Sequence, residues 1–435
     1  MKNSLKYLFK VRLPHGISSI TSPRNRVMRL FTYEGILFTL INNMVGNHNN
    51  LYATRLGAGD FELGLVTMLP QLVGMAVLIP GGIFTDRMKS KRDMVTSALL
   101  VVACIYILLG FVPALGSYSL GAFLFLLALS SAPMTIYNVS WQAYFSDVVH
   151  PNFRNNILAL RSALSFLIGI TITLTGGALL SSAANNNEKI FFHQMFCWAG
   201  AALLLLQVFV LKRIPSVTVE GSKGLGIKGL KVAVKELMHN RKFLGFVGVA
   251  MFFYMTWHVD WTLYFIGQTQ YLGMDEAWLS YINIGGAMVQ FLTMGIWSKI
   301  NSKHGVRFAI IFGSLGLSLF PLAMIISTSI TGQNAKLLFL IFNTLFNTTL
   351  ATTSLNIIQC MLEVIPEKNK TLNISIYTAL ITLSNGVMPF VGVSIYRMLG
   401  ANLQALHKVF WIIFVLRVIA AGLWALRWWL LRKED

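Results

Sequence analysis

The sequence predicts an all-α polytopic membrane protein with twelve transmembrane helices, arranged as two six-helix bundles related by an internal repeat. Of the 435 residues, 55% are hydrophobic and only 12% are charged, about half the charged fraction of a typical soluble domain. Long apolar runs recur along the chain, each close to the roughly 20 residues that a helix needs to cross a hydrocarbon core. A basic linker near the midpoint separates two halves that align with each other.

The apolar runs locate the twelve spans along the chain. They lie near 30–54, 62–84, 94–114, 119–144, 157–181, 190–211, 243–267, 277–298, 307–328, 336–360, 372–396 and 406–431. Grouping these spans predicts five regions. The regions are an N-terminal segment (1–29), an N-terminal bundle (30–211), a central linker (212–242), a C-terminal bundle (243–431) and a short tail (432–435).

The net charge of +19 is concentrated in alternate loops. Residues 87–92 hold four Lys or Arg and residues 212–242 hold eight, which is the cytoplasmic bias of the positive-inside rule. We therefore expect a multi-pass protein of the plasma membrane with both termini in the cytoplasm, and attraction to anionic lipid rather than to nucleic acid. The three cysteines lack metal-binding spacing, so no metal or cofactor is expected. Residues 1–27 show no apolar core of a cleavable signal peptide.

Two segments of the first half recur in the second. "DVVHPNFRNNILALRSAL" (147–164) aligns with "EVIPEKNKTLNISIYTAL" (363–380) at an offset of 216 positions. The charged turn "GGIFTDRMKSKRD" (81–93), between the second and third spans, is echoed by "GIWSKINSKHG" (295–305). Matches in the same order and at nearly one offset predict a parallel repeat of six plus six spans.

The turn after the second span carries Gly82, Asp86 and Arg87, followed by a basic cluster. This pattern resembles the signature loop of the major facilitator superfamily, although the usual run of Arg is here a mixture of Lys, Ser and Arg. The resemblance implies solute transport by alternating access, with Asp86 and Arg87 closing the cytoplasmic side in one state. Asp147 and Arg154 are the candidate gating partners. In the alternative interpretation, Asp86 is a local helix cap and the basic residues only fix the topology.

The seventh span contains the most informative intramembrane charge, in "YMTWHVDWTLYF" (254–265). Trp257, Asp260 and Trp261 share one helical face with Tyr264, at spacings of three, four and seven. An acid within a span is a functional candidate, so we expect Asp260 to carry a coupling proton and His258 to be a second titrating group. The alternative is an interfacial belt of aromatic residues in which the acid reaches water.

Neutral polar stripes mark three further spans. Amides within a membrane either line a wet cavity or hydrogen-bond a neighbouring helix, and here we expect the cavity. The resemblance implies that spans one, four, seven and ten line a central cavity, and the polar stripes fall on these spans. Besides Trp257 and Trp261, the predicted cavity residues are Asn43, Asn47, Asn50, Asn138, Gln142, Asn343 and Asn347.

Three other intramembrane charges have open interpretations. Glu34 and Arg161 lie about one turn inside the ends of their spans, where they could extend to the headgroups or form an ion pair between spans one and five. Arg417 lies near the middle of span twelve and has no partner identifiable from the sequence.

These features predict a transporter of a small organic solute, polar and uncharged or amphipathic, that works as a monomer by secondary active, proton-coupled transport. No nucleophile or phosphate-binding motif appears, so an enzyme is not expected. Two alternatives remain open at the level of sequence. One is efflux of amphipathic drug-like compounds or movement of lipid, and the other is a receptor or scaffold on the same fold that transports nothing.

Overall fold

The computed structural model describes residues 23–216, 235, 239–330, 332–364 and 370–431. Within these ranges the chain is almost entirely helical. Most of the predicted central linker, the first 22 residues and the last four lie outside the described residues.

The helices of the first half follow one another with short connections. They are α1 (Pro23–Met44), α2 (Asn49–Arg55), α3 (Asp60–Arg87), α4 (Lys91–Phe111), α5 (Ser119–Val148), α6 (Pro151–Ser182) and α7 (Asn186–Lys212). Those of the second half are α8 (Arg241–His258), α9 (Trp261–Ile266), α10 (Glu276–His304), α11 (Val306–Thr328), α12 (Gln333–Val364), α13 (Lys370–Met398) and α14 (Leu403–Leu431).

The helices agree with the predicted spans. Among the described residues, ten segments are long and apolar enough to cross a membrane, and one of them, Lys91–Val148, contains both α4 and α5. Gly116, at φ 58° and ψ −120°, kinks the short connection between these two helices. The first span is α1 with α2, interrupted by a 3-10 turn at Gly46–His48, and it is not among the ten. The prediction of about twelve membrane helices is thus confirmed.

Side-chain caps determine where four of the helices begin. The side chains of Ser90, Asn185, Asn240 and Asp275 each accept a hydrogen bond from the backbone N–H three residues later. Such caps satisfy one of the backbone donors that a helix start leaves without a helical partner. Four polar residues therefore fix the entry points of the third, sixth, seventh and eighth spans.

The chain forms two compact units. The first comprises Met1–Tyr52, Val77–Gly176 and Ala184–Gly224, and the second comprises Ala53–Ala76, Gly177–Ala183 and Leu225–Asp435. In the first unit α4 packs against α5 and α7, and α1 against α7. In the second unit α11 packs against α12 and α14, and α8 against α13 and α14. Buried aromatic residues such as Phe246, Phe253 and Trp424 form a core of the second unit.

Glycine allows α3 and α5 to approach each other closely within the first unit. A Cβ atom on Gly81 would lie 3.2 Å from Ile136 Cγ1, and one on Gly82 would lie 3.9 Å from Val139 Cγ1. Thr85 Oγ1 and Ser140 Oγ hydrogen-bond at 2.7 Å beside this contact. The glycine pair of the charged turn therefore serves helix packing, as small residues do in membranes.

Candidate functional site

A cavity of about 420 Å³ lies inside the second unit, bordered by α8 to α12 and by α14. Its lining combines aromatic rings, neutral amides and one pair of opposite charges. The aromatic residues are Trp257, Trp261, Tyr264, Phe265 and Phe320. The amides are Gln268, Asn283, Gln290, Asn343 and Asn347, and the charged residues are Asp260 and Arg417.

The seventh span is broken where it borders this cavity. Helix α8 ends at His258 and α9 begins at Trp261, so Asp260 lies in the break, with φ −100° and ψ 1°. The rings of Trp257 and Trp261 meet edge to face across the break, with centroids 6.1 Å apart. A helix end leaves its last carbonyl groups without helical donors, so the backbone oxygens at the break need donors from another part of the chain.

Arg417 is the partner of Asp260. Its Nη2 atom donates to both carboxylate oxygens of Asp260, at 2.6 and 2.7 Å. Asp260 is 0% exposed and Arg417 is 3% exposed. In this structure Asp260 does not reach water, contrary to the interfacial-belt alternative, and Arg417 has the partner that the sequence did not identify.

A fixed amide network forms a second wall of the cavity. Asn347 Nδ2 donates to the Asn343 carbonyl at 2.7 Å, so its Oδ1 atom is the acceptor that Gln290 Nε2 reaches at 2.8 Å. Because Gln290 Nε2 donates to Asn347, the oxygen at the end of this network is Gln290 Oε1, which is a hydrogen-bond acceptor. A Cβ on Gly286 would lie 3.0 Å from Asn347 Cγ, so this glycine makes room for the amide.

The structure brings together five of the predicted cavity and coupling residues around this cavity. They are Trp257, Asp260, Trp261, Asn343 and Asn347. Sequence reasoning missed the contribution of the eighth span, Asn283 and Gln290. Their spacing of seven residues is itself a polar stripe on one helical face and was a usable signal.

The other predicted polar residues lie elsewhere. His258 is not part of the cavity lining, and its Nδ1 atom is 3.1 Å from Ser384 Oγ of α13. Asn138 and Gln142 are exposed on α5 of the first unit. Their role in solute binding stays a prediction.

One asparagine of the first span, Asn43, connects two helices of the first unit. Asn43 Oδ1 accepts from Thr173 Oγ1 of α6 at 3.1 Å and from Asn47 Nδ2 at 2.8 Å, while Asn43 Nδ2 donates to the Thr39 carbonyl. Asn50 lies on the short helix α2. Asn43 therefore makes the interhelical contact that was the alternative to lining a cavity.

A buried polar network surrounds Glu34, which is 0% exposed. Its Oε1 atom accepts from the Tyr137 hydroxyl and from Gln207 Nε2, the latter at 2.9 Å. Its Oε2 atom accepts from Arg161 Nε at 3.3 Å and forms an ion pair with Arg161 Nη2, also at 3.3 Å. The Arg161 guanidinium also lies 4.5 Å from the ring centroid of Trp141. Of the two interpretations for Glu34 and Arg161, the ion pair between spans one and five is the one observed.

The predicted gating residues are only partly described. The side chains of Asp86 and Arg87 lie outside the described residues. Asp147 forms an ion pair with Lys91 at 2.8 Å. Arg154 donates to two carbonyl groups at the end of α5, at 2.6 and 3.0 Å. The gating role itself stays a prediction.

Membrane-spanning helices in both units, together with a polar cavity within the second unit, are features of a membrane transporter. The family model of the Major Facilitator Superfamily matches residues 31–366, and the chain belongs to this superfamily. It is therefore a multi-pass membrane transporter, in a family whose members are generally not enzymes. Within the described residues, no group of three or more His, Cys, Asp or Glu side chains is placed to hold a metal ion.

Solved structures share the fold at low sequence identity. A D-xylose-proton symporter matches with a TM-score of 0.68 at 15% identity, covering 93% of this chain and 97% of that one. The nucleoside transporter NupG matches with a TM-score of 0.67 at 11% identity, over 92% and 97% of the two chains. A bacterial homologue of the iron transporter ferroportin matches with a TM-score of 0.69 at 11% identity, over 93% and 99%. A search of curated proteins found no match.

Proposed function

We propose that this protein moves a small, polar, uncharged solute with a ring across the plasma membrane by proton-coupled alternating access. The observation that carries the proposal is the cavity of the second unit, where aromatic rings face a set of neutral amides. We further propose that it acts as a monomer with both termini in the cytoplasm, as the basic loops favour.

The lining supports an uncharged solute. Asp260 and Arg417, its charged residues, are bound to each other, so neither offers a full charge to a ligand. The Trp261 side chain is 40% exposed and presents a flat apolar surface on which a ring can stack. The amides of Asn283 and Gln290 supply hydrogen bonds to hydroxyl or amide groups at the ring edge. Apolar walls with a few polar groups are typical of small-molecule sites.

Two of the structural neighbours are named for solutes of this class. The D-xylose-proton symporter and the nucleoside transporter both carry polar molecules that contain rings. At 11–15% identity they share only the fold with this chain, so the solute class rests on the lining.

Coupling is proposed at Asp260. It is a carboxylate in the interior of a span, next to the cavity and at a helix break, and such groups serve as proton carriers in transporters. Protonation would remove its charge and weaken its bonds to Arg417, which would link proton uptake to the geometry of the cavity wall.

Thermal stability of the purified protein tests the solute class, because a ligand that binds only the folded state raises the melting temperature. D-xylose and uridine are the ring-bearing probes, leucine represents zwitterionic compounds, and tetraphenylphosphonium represents amphipathic cations. We expect a stabilisation by a ring-bearing probe that is lost in Trp261→Ala and kept in Trp411→Ala, a matched control on α14 outside the cavity lining. Stabilisation by tetraphenylphosphonium alone, insensitive to Trp261, would contradict the proposal and favour efflux of amphipathic compounds.

Proteoliposomes loaded with the stabilising probe test the coupling. Asp260→Asn should lose accumulation driven by an imposed proton gradient and keep exchange of labelled for unlabelled solute. Asp275→Asn is the control, because Asp275 caps α10 and Asn caps a helix equally well. Undiminished gradient-driven accumulation in Asp260→Asn would refute the coupling role.

A further inference from the structure

Arg417 makes more contacts than an ion pair with Asp260 requires. Its Nε atom donates to the Thr256 carbonyl at 3.1 Å, and Nη2 donates to the Trp257 carbonyl at 3.0 Å. Its Nη1 atom donates to the Leu317 carbonyl at 2.9 Å. The guanidinium on α14 thus binds three backbone oxygens, two at the end of α8 and one within α11.

Each of these carbonyl groups lacks a normal helical donor. Thr256 and Trp257 belong to the last turn of α8, which ends at His258, so their carbonyls have no N–H group four residues later within the helix. Leu317 lies four residues before Pro321, inside α11, and proline has no N–H group to donate. A break in one helix and a proline in another therefore leave three buried acceptors around one point.

We infer that Arg417 is a positioning residue whose guanidinium replaces the backbone donors missing at the break in span seven and at Pro321. It thereby fixes Trp257 and Asp260 at the wall of the cavity. The inference stands on the contacts of Arg417 and holds whichever solute is transported.

The chemistry of arginine suits this role. Unsatisfied buried carbonyl groups are costly, and a guanidinium offers five N–H donors in a rigid planar fork. Lysine carries its three N–H donors on a single nitrogen atom, so it cannot reach carbonyl oxygens that lie on different sides of a guanidinium group. Because three carbonyls hold the guanidinium, Arg417 stays anchored when Asp260 is neutral, so Asp260 can change its charge without releasing α14 from α8 and α11.

A double-mutant cycle tests the link to Pro321. Arg417→Ala should lower the melting temperature by several degrees. Pro321→Ala restores an N–H group for the Leu317 carbonyl, so it should raise the melting temperature of Arg417→Ala but not that of the wild type. Arg427→Ala is the matched control, because Arg427 lies on the same helix over the Phe246 ring, and here Pro321→Ala should act as in the wild type. Equal effects of Pro321→Ala in all three backgrounds would overturn the inference.

Chemical rescue tests the guanidinium geometry. Millimolar guanidinium chloride should raise the melting temperature of Arg417→Ala and not of the wild type, whereas urea and sodium chloride at equal concentration should not. Rescue should weaken when Asp260→Asn is added, since one of the anchoring groups is then neutral. Equal stabilisation by urea or sodium chloride would overturn the inference. If Arg417→Ala is not recovered from membranes, Arg417→Lys takes its place in the Pro321 cycle.

Binding of solute provides the readout of positioning. In the wild type, D-xylose or uridine should raise the melting temperature. Added guanidinium should restore this stabilisation by the probe in Arg417→Ala. If it does not, the role of Arg417 is purely structural. If neither probe stabilises the wild type, the proposed solute class fails, while the Pro321 cycle and the guanidinium comparison still decide the role of Arg417.

Discussion

Replacement of Glu34 by Gln is the perturbation whose outcome the structure defines most closely. Glu34 needs two acceptor oxygens, one for Tyr137 and Gln207 and the other for Arg161. Glutamine has one oxygen and one NH₂ group. If the glutamine oxygen faces Tyr137, its NH₂ group faces the Arg161 guanidinium, and two donors meet. In the reverse orientation the NH₂ group faces Tyr137 and Gln207, which then lose their acceptor.

The expected loss follows from the geometry. Hydrogen bonds to charged groups contribute about 1.5–3 kcal/mol, and the hydrogen bond and the ion-pair contact with Arg161 are both long, at 3.3 Å. Breaking a fully buried ion pair costs about 3–5 kcal/mol, but the Arg161 side chain is 20% exposed and packs on Trp141. We therefore expect a loss of about 2 kcal/mol, or about 4–8 °C in melting temperature for a unit of 150–250 residues.

The assay is thermal unfolding of purified variants in one detergent. Glu34→Gln combined with Arg161→Gln should be more stable than the sum of the single changes predicts, with a coupling of about 0.5–3 kcal/mol. Glu363→Gln is the matched control, because its bond to Arg307 is exposed and such pairs contribute about 0–1 kcal/mol. A shift in Glu34→Gln no larger than in the control, or an additive double mutant, would refute the reasoning.

Two further predictions concern packing and charge at helix contacts. Gly392→Ala should strongly destabilise the protein in the same melting assay, because its Cβ would lie 1.9 Å from the Val259 carbonyl oxygen. Gly248→Ala, with no atom within 4 Å of its Cβ, should leave the melting temperature nearly unchanged, and equal shifts in the two variants would contradict the packing. Exchanging the charges of Lys91 and Asp147, which pair at 2.8 Å, should restore the stability lost in either reversal alone. No recovery in the double reversal would exclude the pair as a stabilising contact.

The spans were predictable because their signal is local. Each apolar run has the length of a membrane crossing. The N-caps Asn185 and Asp275 are of residue types that commonly begin helices. The grouping of Trp257, Asp260 and Trp261 beside one cavity followed from helical periodicity. The break between His258 and Trp261 was not predictable, because no glycine or proline marks it and its carbonyls are satisfied from another helix.

The partners of Arg417 could not be read from the sequence because they are distant in the chain. Its acceptors lie 100 positions away at Leu317 and 161 at Thr256, and no local pattern links such positions. A partial signal existed in Pro321, since a proline within a membrane helix implies an orphan carbonyl four residues earlier and hence a donor to be found elsewhere. An intramembrane arginine without a carboxylate partner in the sequence should therefore be compared with the orphan carbonyls as well as with the acids.

The ion pairs at the helix ends give the internal repeat a physical basis. Lys91 pairs with Asp147 at 2.8 Å, and Arg307 pairs with Glu363 at 3.0 Å. Both partners are displaced by the same amount, since 307 − 91 and 363 − 147 equal 216. The alignment had matched only the acids. In each unit, opposite charges join the start of one helix (α4 or α11) to the end of the next helix (α5 or α12).

The buried ion pairs, unlike the pairs at the helix ends, do not recur in both units. At the same offset Glu34 corresponds to Ala250, and Arg417 corresponds to Ala201, so neither buried pair has a counterpart in the other unit. A surface pair contributes little and costs little, and it can persist in both copies as part of the scaffold. A buried charge is expensive unless it is fully bonded. Each buried pair therefore belongs to its own unit: Asp260 and Arg417 border the cavity of the second unit, whereas Glu34 connects helices of the first unit.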